Sequence, residues 1–393
     1  MSVEVMRKRR VLSACLIVLA LALLLEVASY AFIVLAGKNY FLPLALNDLS
    51  EQTIPLRVKA RFSHELGWEP DHLNDYGYRG SEKPIEHAVL AVFGDEYAQG
   101  SHTLEQSWPS LLEQRLGLPV LNFGVGGYGP DQAYLRFEEH FVDPVETPFT
   151  ALIIMSGGIA RIMNRYRGFY VRRSKLSYAK PMFKKHADGS FELLPNPLSS
   201  SEDLVKLGDP AFLEEIGAGD YWYNRFDRYG MNKFVGFPYA FHLAKAAPYY
   251  WRRWRDHSTT DRQSYQELYR IEDAKATLHH IVEQFIIRSK ERGTMPIIVM
   301  LPNRADMSNY LAKGSISYAS VLADLKQIHR PHIHDGLEFF LPSIEGGAHL
   351  ENVFVAEGSD VLTPTAEKIV SDGMHAILKS LDIKRDFLAG AKP

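Results

Sequence analysis

The stretch Pro119–Gln132, PVLNFGVGGYGPDQ, reads as a short apolar strand, a glycine-rich loop and the start of a helix. Upstream, His87–Phe93 (HAVLAVF) is a second short apolar run, closed by Gly94 and followed by Asp95-Glu96-Tyr97-Ala98-Gln99-Gly100. Both runs are too short for helices and end in turn residues, so length and flanks make them strands. Between them, Trp108–Leu116 has a helical pattern, with Ser107 placed to cap its start and Gly117 just past its end. Downstream the rhythm repeats. Pro130–Val142 is helical, Thr150–Met155 (TALIIM) and Pro296–Leu301 (PIIVML) are strands, and Pro331–His334 is a short fifth strand. In Glu272–Arg292, residues Ala274, Leu278, Ile281, Val282 and Phe285 share one helical face. Ser315–Ile328 is helical, and Thr363-Pro364 opens a last helix. Strands alternating with helices predict an α/β fold, a mainly parallel sheet covered on both faces. Its site should lie at the carboxyl ends of the strands, in the loops after Phe93, Phe123, Met155, Leu301 and the fifth strand.

Composition bounds the rest. The chain has 393 residues, 46% hydrophobic and 23% charged, and a net charge of -3. That is globular, and it argues against a chain built to bind nucleic acid. A single cysteine, Cys15, excludes an intramolecular disulfide framework and cysteine-based zinc sites. Val11–Gly37 is apolar apart from Glu26 and small residues, and Arg7-Lys8-Arg9-Arg10 precedes it. About 27 residues at ~1.5 Å each cross a ~30 Å hydrocarbon core with tilt. The basic flank places the N-terminus in the cytoplasm and the remainder outside, periplasmic in a Gram-negative cell, as a single-pass protein of the inner (cytoplasmic) membrane. A cleaved signal has the same charge pattern but a shorter apolar core of ~7–15 residues, so the span is read as an uncleaved anchor. Leu12-Ser13-Ala14-Cys15 has the form of a lipobox, but it stands at the start of the apolar run instead of after it. Glu26 is an ionisable group within the span, hence a candidate contact, expected to find any buried partner in another protein.

The chain then divides into a basic tail (1–10), the transmembrane helix (11–37), a stalk and lead-in (38–85) and a large domain (86–385). Residues 160–268, without a convincing apolar strand, interrupt that domain as a long insertion after the third strand. They are rich in aromatic and basic residues, as in Arg165–Arg173 and in Tyr249-Tyr250-Trp251-Arg252-Arg253-Trp254-Arg255. Such a segment packs on the sheet, lies on membrane lipid, docks a membrane protein or forms a sugar platform.

Gly94-Asp95-Glu96-Tyr97-Ala98-Gln99-Gly100 and Asn122–Gln132 resemble the Gly-Asp-Ser-x-x-x-Gly and N-x-G-V-x-G-Y-G-x-D-Q blocks of the SGNH (GDSL-like) hydrolases. Gly67-Trp68, Asn74–Gly80 and Trp108–Leu112 resemble other blocks of bacterial members. The resemblance covers roughly residues 65–160 and 270–380. It implies a flavodoxin-like three-layer α/β/α sandwich and acyl transfer from esters by a Ser/His/Asp triad. It also implies an oxyanion hole made by the nucleophile's N–H, a loop Gly and an Asn.

Carried over by position, the nucleophile is Glu96, the loop Gly is Gly127, the Asn is Ile159, the His is Val361 and the acid is Gly358, with Asp360 displaced by two residues. Only Gly127 is retained, so the resemblance implies a degenerate member, a pseudoenzyme with no catalytic residues and no cofactor. It would act as a binding or structural subunit of a membrane or envelope complex. The alternative is an envelope polysaccharide O-acetyl esterase or acyltransferase with non-standard catalytic residues. Asp95 and Glu96 are adjacent carboxylates; the expectation is that Asp95 bonds the loop backbone and Glu96 is solvated. His329, His332, His334 and Asp335, and His279-His280, are read as loop, edge or helix-surface residues, not metal ligands.

Overall fold

The computed structural model describes the chain except residues 1–2, 47–59, 72, 81–84, 86, 101–102, 141–146, 172–177, 256–264, 346–349, 357–358 and 382–393. Gly358, Arg172, Arg173 and residues 47–59 of the stalk thus lie outside the described residues. The chain forms two compact units.

The first unit comprises Ala60–Arg165, Ala179–Pro197 and Arg262–Pro393. Its centre is a five-stranded sheet of β3 (Leu90–Gly94), β4 (Val120–Asn122), β5 (Phe149–Met155), β8 (Met295–Leu301) and β9 (Ile333–Asp335). The spatial order is β4-β3-β5-β8-β9, and every pair is parallel. Counted in chain order within the sheet this is 2-1-3-4-5, the flavodoxin-like order.

Successive side chains of a strand point to opposite faces, and both faces here are buried. On one face Leu90, Val92, Ala151, Ile153, Ile297 and Val299 join a core with Trp108, Leu112, Phe340, Val370 and Met374 from three helices. On the other, Phe93 meets Phe137 and Phe285 at ring distances of 5.3 and 6.4 Å. Burial on both faces is why these strands read as continuous apolar runs. The helix Glu272–Glu291 buries all five residues of its expected face, Ala274, Leu278, Ile281, Val282 and Phe285.

Two antiparallel hairpins complete the unit: β1 (Arg61–Ser63) with β2 (Gly67–Glu69), and β6 (Met182–Lys185) with β7 (Phe191–Leu194). The second corrects the expectation of an insertion without strands. Apart from buried Met182 its strand residues are half-buried or exposed, and charged residues interrupt them, so no apolar run marks them. The turn Asp188-Gly189 does, with Gly189 at φ 87° and Asp188 accepting from the Ser190 N–H.

A second correction concerns the start of the helix Trp108–Leu116. Ser107 makes no side-chain cap; its hydroxyl donates to the Leu104 carbonyl at 2.6 Å. The Trp108 N–H is satisfied instead by the buried Glu367 carboxylate at 2.9 Å, from the helix Pro364–Ser380. Thr363 caps that helix as its sequence suggests, accepting from Ala366 N–H at 3.2 Å.

The second unit comprises Met1–Lys59, Tyr166–Tyr178 and Leu198–Asp261. The expected insertion is therefore shared, its β6–β7 hairpin belonging with the sheet. Val3–Ala36 is one helix of 34 residues, long and apolar enough to cross a membrane. Shorter helices follow at Pro210–Gly217 and Tyr221–Asp227, capped by Asp209 and Asp220. A 17-residue helix, Tyr239–Arg255, carries the aromatic-basic run, which the sequence reading left outside any helix. Trp222 and Phe226 are buried in this unit. Tyr249 packs on Phe226 at 5.3 Å, Tyr250 packs on Tyr40 at 4.9 Å, and Arg252 donates to the Tyr229 hydroxyl. Trp251 and Trp254 pair with each other at 5.1 Å and are exposed.

Glu26 is corrected as well. Its partner is not another protein but this chain: its carboxylate accepts from the N–H groups of Tyr239 and Ala240. The missing signal is tertiary, because those donors are backbone groups of a helix start 213 residues away.

Candidate functional site

In a 2-1-3-4-5 sheet the crevice opens at the carboxyl ends of the first and third strands, where the chain changes direction across the sheet. Here these are β3 and β5. After β3, Asp95 caps the short helix Glu96–Gln99 by accepting from Tyr97 N–H at 2.9 Å. After β4, the glycine loop closes on that helix. A Cβ at Gly124 would overlap the Gln99 amide nitrogen, so only glycine allows this approach. Gly126 N–H donates to Gln99 Oε1 at 2.8 Å. Gly127 has φ 87°, and its N–H turns onto Glu96 Oε2 at 2.9 Å.

The decisive side chain comes from the segment after β5. Arg161, on the short helix Ile159–Ile162, is buried and bidentate to Glu96: Nη2 lies 2.5 Å from Oε1 and Nη1 lies 2.8 Å from Oε2. Nη1 also donates to the Tyr128 carbonyl at 2.6 Å and lies 3.5 Å from Asp95 Oδ2. Two carboxylates thus share one guanidinium. Burial opposes ionisation of both. For Glu96, the Arg161 charge, its two hydrogen bonds and the Gly127 N–H outweigh burial and hold the carboxyl well below its usual range. Asp95 is 3% exposed; burial first, then the Glu96 charge, push its carboxyl up toward neutrality.

The sequence reading is right that Asp95 bonds loop backbone. It misses the partners of Glu96, whose side chain is part-exposed yet held by an ion pair and an amide. It misses Arg161, two residues past the examined Ile159. The available signal was a charged residue between Ile159, Ala160 and Ile162, all buried.

The other motif residues serve the scaffold. Tyr128 Oη donates to the Trp68 carbonyl at 2.5 Å, and Gln132 Nε2 to the Leu66 carbonyl at 2.6 Å, tying the β1–β2 hairpin down. Asp131 pairs with buried Lys180. Arg79 Nη1 and Asn122 Nδ2 both donate to the Gln99 carbonyl. Buried Arg136 donates to Glu69 at 2.8 Å and to the Gly77 carbonyl at 2.5 Å. Ile159 is fully buried and has no side-chain donor. Val361 is exposed, its N–H donating to Ser359 Oγ, while Asp360 accepts from Arg304 N–H. His332 Nδ1 lies 3.0 Å from the Pro296 carbonyl and His280 stacks on Phe191 at 4.1 Å. Among the described residues, no three His, Cys, Asp or Glu side chains cluster as metal ligands would.

No family model and no curated protein matches the chain. Among solved structures it is similar to a protein from Desulfitobacterium hafniense assigned to the lipolytic G-D-S-L family. Identity is 10% and the TM-score 0.35, over 74% of this chain and 99% of that one. The flavodoxin-like assignment stands on the strand order alone.

Proposed function

We propose that this chain is a single-pass, membrane-anchored protein whose extracytoplasmic SGNH-like domain has exchanged ester chemistry for an internal ion pair. It then serves as a binding or structural subunit of a membrane or envelope complex. One observation carries this reading: the Glu96 carboxylate, at the nucleophile position, sits on the Gly127 N–H and is clamped by Arg161. An oxyanion hole works by offering free donors to a charge that develops in the transition state. In this reading that amide is already engaged by a permanent anion. A carboxylate stabilised by a bidentate guanidinium is also a poor nucleophile, and the aliphatic Val361 and Ile159 supply neither base nor donor.

The test is hydrolysis of short acyl esters by the full chain in mild detergent. Turnover at the buffer rate is expected. Glu96→Ser alone should not restore it, because base and second donor are still absent. Robust wild-type turnover abolished by Glu96→Ala would overturn this reading in favour of an O-acetyl esterase or acyltransferase. Purification from native membrane should yield a stoichiometric partner; a lone chain counts against the subunit role.

A further inference from the structure

In the anchor unit, Glu26 accepts from Tyr239 N–H at 2.7 Å and Ala240 N–H at 3.3 Å, the first turn of the helix Tyr239–Arg255. Tyr30 meets Tyr239 at 5.0 Å, and Tyr40 meets Tyr250 at 4.9 Å. The two helices therefore run side by side in the same direction, away from the basic N-terminal flank. Ser29, Ile33 and Ala246 are buried along them. The opposite side is apolar and open: Phe234, Phe237, Phe241, Trp251 and Trp254 are 60–77% exposed. Phe241, Ala244, Pro248 and Trp251 recur every three or four residues, one stripe of the helix, and Phe237 stands two residues before its start.

The cap fixes the depth of this stripe. Sixteen residues separate Arg10 from Glu26, about 24 Å of helix, which leaves the cap about 6 Å short of the far edge of a ~30 Å hydrocarbon core. Trp251 and Trp254 lie a dozen or more residues farther along, about 18 Å beyond the cap and past that edge. The helix has no acidic residue, and three of its four Lys and Arg residues gather at that far end, Arg252, Arg253 and Arg255, with Lys245 at its middle.

We propose that bilayer lipid is the occupant of this face. Phe234, Phe237 and Phe241 sit in the acyl edge of the outer leaflet, and the Trp-Arg end passes the phosphates to the membrane surface. The anchor helix beside it is likewise apolar and exposed, at Val27, Tyr30 and Val34. Rings at the boundary with cations beyond them match the polarity gradient of the interface. The carboxylate of Glu26 thus finds backbone donors supplied by an interfacial helix, which keeps a charged or polar group in the span satisfied.

The proposal rests on the anchor spanning the membrane, and the experiment separates the two. The full chain carrying Cys15→Ser is reconstituted in phosphatidylglycerol-containing vesicles with single nitroxide labels at Phe237→Cys, Phe241→Cys, Leu19→Cys and Asp188→Cys. Collision with oxygen, which concentrates in lipid, is compared with collision with a water-soluble nickel chelate. Labels at 237 and 241 should give an oxygen-to-nickel ratio like that at 19 and at least about fivefold above that at 188. A ratio at 237 and 241 equal to that at 188, with 19 remaining in lipid, overturns the proposal alone. Protection from both reagents does the same, since it means a protein covers the face. Nickel access at 19 overturns the anchor and the proposal together. All four labelled positions are surface residues, so folding is expected to survive the substitutions.

Discussion

Two carboxylates and one guanidinium meet after β3, so one negative charge is left without a partner. Burial pushes the carboxyl of Asp95, the more buried, up toward neutrality, while Glu96 keeps the ion pair. Arg161→Met leaves Glu96 facing the Gly127 amide with no cation. Removing one member of a fully buried pair costs ~3–5 kcal/mol, and because Glu96 keeps some contact with water we expect ~2–4 kcal/mol. Urea unfolding of the full chain in detergent measures it. Adding Glu96→Leu to Arg161→Met should recover most of the loss; no recovery means Arg161 matters through Tyr128 instead. Asp95 has the opposite pH signature to a normal paired carboxylate. Its folded pKa is raised above the ordinary 3.8, so it costs stability above the folded value. That cost is relieved as pH falls toward 3.8. Asp95→Asn keeps an oxygen for Tyr97 N–H and should flatten this part of the pH–stability curve. An unchanged curve would mean that Asp95 is ionised throughout.

Single helices here depend on donors and acceptors from elsewhere in the chain. The helix Trp108–Leu116 has a good N-cap residue in its sequence, yet its first buried amide is satisfied by Glu367. Glu367→Ala strands that N–H and should cost ~1–3 kcal/mol, whereas Ser107→Ala should cost under about 1 kcal/mol. The reverse ranking in thermal unfolding would restore Ser107 as the cap. The β1–β2 hairpin is held to the helix Pro130–His140 through Glu69. His140, 3.5 Å away, and the Arg136 guanidinium outweigh burial and lower its carboxyl to about 2. A depressed acid contributes stability above its ordinary value, and loses it as pH falls from 4.5 toward about 2. Glu69→Gln should remove that acid-side loss, opposite in sign to the effect of Asp95→Asn.

At the scale of the whole molecule, the proposed orientation rests on the four consecutive basic residues Arg7–Arg10, in the first turns of the helix Val3–Ala36 and just before its apolar run. Protease added to intact spheroplasts should digest the chain beyond residue 38; full protection would reverse the topology. The exposed Trp251 and Trp254 should be dispensable for folding and needed for association. Changing both to Ala should leave the melt cooperative and weaken association with a partner protein, or of the helix Tyr239–Arg255 with lipid, by ~10-fold or more. A lost cooperative transition would place them in the core.

The fold was legible because its signal is local. Leu90–Gly94, Phe149–Met155 and Met295–Leu301 are buried on both faces apart from Met295, so each is apolar at nearly every position, Thr150 excepted, and recognisable without its neighbours. Glycine spacing in Asn122–Gln132 likewise reports a backbone that must pass close to another loop. The β6–β7 hairpin was harder, since a half-exposed strand leaves only its Asp188-Gly189 turn as a mark. What the sequence could not yield were pairings between distant segments. Glu26 with the amides of Tyr239 and Ala240, Glu367 with Trp108, and Arg161 with Glu96 each join groups far apart in the chain. Residue type announces that a buried charge needs a partner, but which partner it finds depends on distances that exist only after the helices and strands have packed.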